Sequence, residues 1–317
     1  MTNTEIVSWL LEGDVSIQYQ TYRDLLEIDK PDLRNRIETE GWCQQFLSCR
    51  NSNGHWGDRF YQPKWISAHY TLLDLRQLYL PQDNEVVQDT IELVLQNGKS
   101  DDGGIQLGPS TSQHSDVCVN GMFLSYASYF KTPEIKLHSI IDSIIKEIMP
   151  DGGFNCRTTR SGAKHSSLHS TLSVLEGLTE FQKAGYRYRM DSIQRAIISA
   201  TEFILIHNLF LSDRTGKIIN KDFLKLSYPC RWYYDILRAL DYFQFAKVSY
   251  DERMKNALEI ISSKRNKEGI WKLSAKHPGR THFEMEKAGK PSRWNTLRAL
   301  RVLKFYGMEN AKSLVLN

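Results

Sequence analysis

Apolar positions along this chain fall into two alternating kinds of segment. In one kind they recur at helical spacing on a single stripe, as in Ile193, Ile197, Ile198, Ala200 and Phe203, which predicts an amphipathic helix turning one face inward. In the other kind, such as His169-Ser-Thr-Leu-Ser-Val-Leu-Glu-Gly-Leu178, the segment is apolar nearly all round, which predicts a helix enclosed on most sides. The enclosed kind is expected near 15–28, 64–79, 116–130, 167–184, 230–245 and 292–305. The striped kind is expected near 4–12, 32–48, 84–97, 134–148, 190–207 and 251–264. Asp14, Ser115 and Pro291-Ser292 stand where N-caps belong. Pro81, Pro133 and Pro150 fall at helix edges, where a missing N–H does least harm.

The alternation is a repeat. Thr21, Thr71, Gly121 and Thr171 are spaced by 50 residues, and Ile236 and Thr296 continue the series after steps of 65 and 60. A second register runs through the loops, where Gly54-His-Trp56, Gly103-Gly-Ile105, Gly152-Gly-Phe154 and Gly269-Ile-Trp271 each put a large side chain just after glycine. Glycine admits the turn, and the side chain after it can plug the gap between neighbouring helices. The missing fifth loop falls at about 213–228. A helix-pair array without polar capping repeats favours a closed ring. The expected fold is therefore all-α, an (α/α)6 toroid, with residues 1–317 as one domain. Two places before each register mark stand Tyr19, His69, Val119, His169, Tyr234 and Trp294. They would form either a girdle around a central ligand cavity or packing between helices, and the cavity reading makes Tyr19, Tyr234 and Trp294 substrate-binding candidates.

Composition narrows the function classes. At 317 residues and 41% apolar content the chain can bury a large core. A net charge of +4 without any basic run argues against a nucleic-acid partner. The opening Met-Thr-Asn-Thr-Glu has no basic or apolar leader character, and no stretch approaches the ~18–20 apolar residues of a membrane span. Five cysteines (43, 49, 118, 156 and 230) without scaffold spacing suit reduced thiols in a cytoplasm.

Five phrases carry a family resemblance: Trp9-Leu-Leu-Glu-Gly-Asp14, Pro150-Asp-Gly-Gly-Phe-Asn-Cys156, Pro229-Cys-Arg-Trp232, Gly279-Arg-Thr-His-Phe-Glu284 and Ser292-Arg-Trp-Asn-Thr-Leu-Arg-Ala-Leu300. With the repeat, they resemble the prenyltransferase/squalene-cyclase superfamily, and within it a group of bacterial prenyltransferase-like or squalene-cyclase-like proteins. Asp116-Val-Cys118 followed by His169, 51 residues on, resembles the catalytic zinc set of protein prenyltransferase β subunits. The resemblance implies a zinc ion on Asp116, Cys118 and His169. Carboxylate, thiolate and imidazole are ordinary zinc donors, three protein ligands leave a fourth position open, and a thiol bound there becomes nucleophilic at neutral pH. The chain departs from that family where basic residues hold a diphosphate, since Ser110 and Gln113 stand there. The cyclase Asp-x-Asp-Asp run and any Asp-Asp-x-x-Asp magnesium cluster are absent.

Further candidates surround this set. His69 would be a base or fourth ligand, and His114 an acid/base group beside the motif. Arg157, Arg160, Lys164 and Arg231 lie at loop ends near the expected mouth, as substitutes for the missing phosphate holders. The run Arg280-Thr-His282-Phe-Glu284-Met-Glu286, if extended, places Arg280, His282, Glu284 and Glu286 on one face. That face would belong either to a lid with an anion-binding Arg280 or to a solvated hairpin. Asp101, Asp102 and Asp151 precede glycine pairs and read as turn formers. The expected function is a zinc-dependent enzyme activating a thiol or water, in the manner of a prenyl or alkyl transferase. Its partner would be a hydrophobic or thiol-bearing small molecule or peptide, with a partner subunit not indicated. The alternatives are a noncatalytic toroid binding an apolar ligand or peptide segment, and a lanthionine-cyclase-like thiol addition in which Cys156 or Cys230 joins the metal.

Overall fold

The computed structural model describes residues 1–58, 60–106, 114–156, 161–274 and 276–308. Among them the protein is helical, with three isolated β-bridges and no strand. The helices are α1 (Asn3–Leu11), α2 (Val15–Gln20, running on in a π-helical turn through Thr21–Leu26), α3 (Pro31–Arg36), α4 (Gly41–Ser48), α5 (Ala68–Gln77) and α6 (Glu85–Asn97). They continue as α7 (Val117–Tyr129), α8 (His138–Lys146), α9 (Leu168–Lys183), α10 (Met190–Ile206), α11 (Ile236–Phe245), α12 (Lys255–Ser263) and α13 (Arg293–Phe305). Two expected boundaries move. The segment near 32–48 breaks into α3 and α4, because Gly41 takes a φ of 65°. The segment near 230–245 begins only at Ile236, where the Asp235 carboxylate accepts from the Arg238 N–H. None of the helices is long and apolar enough to cross a membrane among the described residues.

The repeat has a physical basis in the loops. Trp56 and Trp271, both fully buried, donate their indole N–H to the carbonyls of Phe46 and Ile261, ten residues back in each case. Two of the register threonines fix the other side of the plug. Thr171 Oγ1 accepts from the Phe154 N–H and Thr296 Oγ1 from the Trp271 N–H, both at 3.0 Å. Asp102 and Asp151 accept from the backbone N–H of Ser115 and Ser166 across their loops, as turn formers should. Buried amides thereby find partners where two helices part.

The enclosed helices pack in sequence, and the last returns to the first. α7 and α9 make the most intimate pair: a Cβ on Gly121 would stand 2.5 Å from the Ser173 carbonyl oxygen, and one on Gly177 would stand 2.3 Å from that of Gly121. α11 joins α9 through Arg238 and Glu176, and α13 through Asp241 with Arg298 and Arg301. α13 then meets the start of the chain, where Arg301 reaches Asp24, Lys304 the Leu25 carbonyl and Arg293 the Trp9 carbonyl. These charges are largely buried, and breaking one such pair costs about 3–5 kcal/mol.

Candidate functional site

The first turns of α7 and α9 lie side by side because the two glycines let their helices approach so closely. A cavity of about 880 Å³ opens beside those turns, walled also by the loop before α5, the end of α10 and the segment before α11. Asp116, Cys118 and His169 all line it. So does Cys156, which follows the Phe154 plug by two residues.

Cys156 sits at the chemical centre of this wall. Its Sγ accepts from the Cys118 backbone N–H at 3.1 Å and from Ser170 Oγ at 3.3 Å. The Cys118 N–H belongs to the first turn of α7, whose N-cap Asp116 makes no side-chain capping bond. An amide of that turn therefore points at sulfur, and a helix start favours negative charge. Hydrogen bonding from the Cys118 side chain holds the Cys156 thiol below its ordinary pKa, with help from Ser170 and against the effects of burial and the Asp116 charge.

His169 is oriented by the neighbouring helix pair. Its Nδ1 accepts from the Tyr234 backbone N–H at 2.8 Å, so in the neutral ring the proton sits on Nε2. Phe223, Trp232, Tyr233 and Tyr234 surround the ring edgewise at 5.2–6.4 Å. This bears on the zinc expectation. A metal-bound imidazole normally donates its second N–H to an acceptor and presents a bare nitrogen to the ion. Here one ring nitrogen accepts from an amide and the other carries hydrogen. Among the described residues, no three His, Cys, Asp or Glu side chains form a group that could hold a metal ion. Asp116, Cys118 and His169 share the wall of one cavity.

The remaining candidates disperse. His69 is fully buried, its Nδ1 within 3.1 Å of the Tyr126 hydroxyl, and burial followed by the Lys64 charge lowers its pKa to about 3. It is a neutral core group behind Tyr61, away from the cavity wall. His114 is exposed, 3.8 Å from Asp102 and outside the cavity lining. Tyr19 and Tyr234 are buried, and the Tyr234 hydroxyl donates to the Leu209 carbonyl. Trp294 packs against Tyr228 at 4.7 Å and faces a different cavity. The girdle is thus mostly packing, with His169 alone of the six on this wall. Lys164 is exposed. Arg231 is buried in an ion pair with Asp74, over the Trp65 ring. Arg157 and Arg160 lie outside the described residues.

The 272–292 loop is closed at its base by the antiparallel Lys272–Pro291 bridge, but the expected one-sided face does not form. Arg280 and Glu284 are exposed, whereas His282 and Glu286 are half-buried, because the segment is irregular and the alternation of an extended strand does not apply. His282 Nε2 lies 3.0 Å from Thr71 Oγ1, and its pKa falls to about 4 through burial and the Arg231 and Arg280 charges. Trp65 Nε1 donates to the Pro278 carbonyl at 2.6 Å. The loop is therefore pinned to the α4–α5 side of the molecule.

Tyr61, Lys64, Asn155 and Trp232 complete the cavity wall without having been singled out from the sequence. Asn155 and Trp232 did stand in the quoted phrases Pro150-Asp-Gly-Gly-Phe-Asn-Cys156 and Pro229-Cys-Arg-Trp232.

No family model matches the chain, and no curated protein matches it in sequence. Among solved structures, a polysaccharide lyase matches with a TM-score of 0.52 at 12% identity, covering 99% of this chain and 99% of that one. Identity this low speaks to the fold alone.

Proposed function

We propose that the chain is a closed (α/α)6 toroid enzyme of thiol chemistry, with Cys156 as its nucleophile and the neutral His169 ring as a hydrogen-bond donor to the reacting group. The return of α13 onto α1 and α2 supports the ring. The observation that carries the chemistry is the Cys156 sulfur, which accepts from a first-turn amide and from Ser170 on the wall of a ligand-sized cavity. The reaction class is acyl transfer. The Cys156 thiolate attacks an acyl carbon, a carbon–sulfur bond forms, and the bond to the leaving group breaks. The departing group takes the electron pair and a proton from solvent water, while the neutral His169 ring can only donate a hydrogen bond through Nε2–H. Water or an acceptor then attacks the thioester, expels the thiolate and releases its proton to solvent. Trp232, Phe223 and Tyr61 give the wall an apolar character suited to an acyl chain or ring.

The test is trapping. Limiting iodoacetamide near neutral pH should label Cys156 ahead of Cys43, Cys49 and Cys230, read by peptide mass spectrometry. Labelling led by another of these cysteines would overturn the reading. Zinc-assisted alkylation of a thiol is the rival, and one equivalent of zinc in purified protein, lost in Cys118→Ala, would replace this proposal with that one. A lyase reading draws on the solved neighbour alone, and the phenol of Tyr61 is held well above its ordinary pKa by burial, a poor base for elimination. Unsaturated products from uronate polymers would reinstate it.

A further inference from the structure

A second cavity, of about 830 Å³, lies at the opposite ends of the enclosed helices, among the last turns of α2, α5, α9, α11 and α13. Its lining holds seven basic side chains against four acidic ones. Most of these are matched. Arg238 pairs with Glu176, Arg298 and Arg301 with Asp241, and Arg23 with Asp24. Three cationic groups are not fully matched. Lys183 and Lys247 have no carboxylate within ion-pair distance among the described residues, while the buried Arg76 pairs with Glu180 but leaves its Nε without a partner.

Cations at helix C-termini often serve the carbonyl ends of the helices. Lys304 does so, donating to the Leu25 carbonyl at 2.9 Å. Lys183 and Lys247 make no such bond among the described residues. Lys183 instead lies 4.1 Å from the Phe245 ring centroid, and the Arg23 guanidinium 3.8 Å from that of Tyr79. The Lys183 ammonium is held below its ordinary pKa by burial and by the charges of Lys247, Arg76 and Arg23, against the pull of Glu180. Lys183 and Lys247, both exposed, thus add positive charge without a carboxylate partner to a space that the ion-paired Arg23 and Arg76 also line. That surplus of positive charge over the cavity attracts an anion.

We propose that this cavity binds a small organic polyanion of the phosphate-ester class. Arg76, Lys183 and Lys247 hold its charged end, and Tyr79, Tyr242 and Phe245 flank its body. The site is separate from the Cys156 cavity and stands independently of the thiol chemistry. Calorimetric titration of the full chain with inorganic pyrophosphate, and in parallel with citrate, tests it. Pyrophosphate should bind one to one and weaken at least about tenfold in the Lys183→Gln, Lys247→Gln double variant, as expected for lost charge-assisted hydrogen bonds. Cys156→Ser should bind as the parent does. Citrate binding as tightly as pyrophosphate would overturn the phosphate assignment. A second readout separates binding from packing. The ligand-free Lys183→Gln protein should melt no lower than the parent, since a repelled charge has been removed. No binding of either probe, an unchanged affinity in the double variant, or a clear fall in the melting point of Lys183→Gln would overturn the proposal.

Discussion

Replacing Asp241 by asparagine is the sharpest test of how the two ends of this protein are joined. Asp241 on α11 accepts from Arg298 at 3.0 Å, and from Arg301 at 2.5 Å and 2.6 Å. Arg301 also reaches Asp24 at 3.0 Å and Gln20 at 3.1 Å, which ties α13 to α2. The Asp241→Asn change keeps the shape and removes the counter-charge of two buried guanidinium groups. Arg298 keeps no other ion pair among the described residues, whereas Arg301 keeps Asp24. One buried cation is thus stranded, at a cost of about 3–5 kcal/mol. The Arg301→Met change strands nothing, because Asp241 keeps Arg298 and Asp24 keeps Arg23. It loses charge-assisted hydrogen bonds only, about 1.5–3 kcal/mol. With roughly 2.1 cal/mol/K of unfolding entropy per residue, a chain of 317 residues shifts by about 1.5 °C per kcal/mol. Asp241→Asn should therefore lower the calorimetric melting temperature by about 5–8 °C, and Arg301→Met by about half as much. An Arg301 variant that loses more than the Asp241 variant would refute the argument.

Other expectations follow from the same geometry. Burial pushes the Asp241 carboxyl up, but the Arg301 and Arg298 charges outweigh it and hold the folded value below the ordinary one. That contribution is complete above the unfolded value of about 3.9 and is lost as pH falls through the lower folded value. Acid titration should accordingly erase much of the stability difference between the parent and Asp241→Asn. Ser170→Ala removes one donor to the Cys156 sulfur, so the pH midpoint of Cys156 alkylation should rise by about one unit; an unmoved midpoint contradicts the thiolate assignment. Gly121→Ala drives a methyl into the Ser173 carbonyl and the Val174 backbone, and should cost about 1–3 kcal/mol in denaturant unfolding. The same change should slow Cys156 labelling, because α7 supplies the amide that faces the sulfur.

The repeat was legible because each unit solves the same local problem. A large residue after glycine plugs the gap between helices, and a register threonine or a neighbouring side chain receives the plug's amide. Spacing and the all-α class follow from that local chemistry. The meeting of Asp116, Cys118 and His169 on one wall was legible too, since they begin successive enclosed helices. What they do there was not. The tautomer of His169 is set by the Tyr234 amide, 65 residues away. Cys156 becomes the centre of the wall through a helix start and a serine that its own sequence neighbourhood does not contain. The unmatched cations of the second cavity come from the ends of separate helices. Their repulsion exists only once the chain has returned on itself, because charge acts through space and local pattern records only neighbours along the chain.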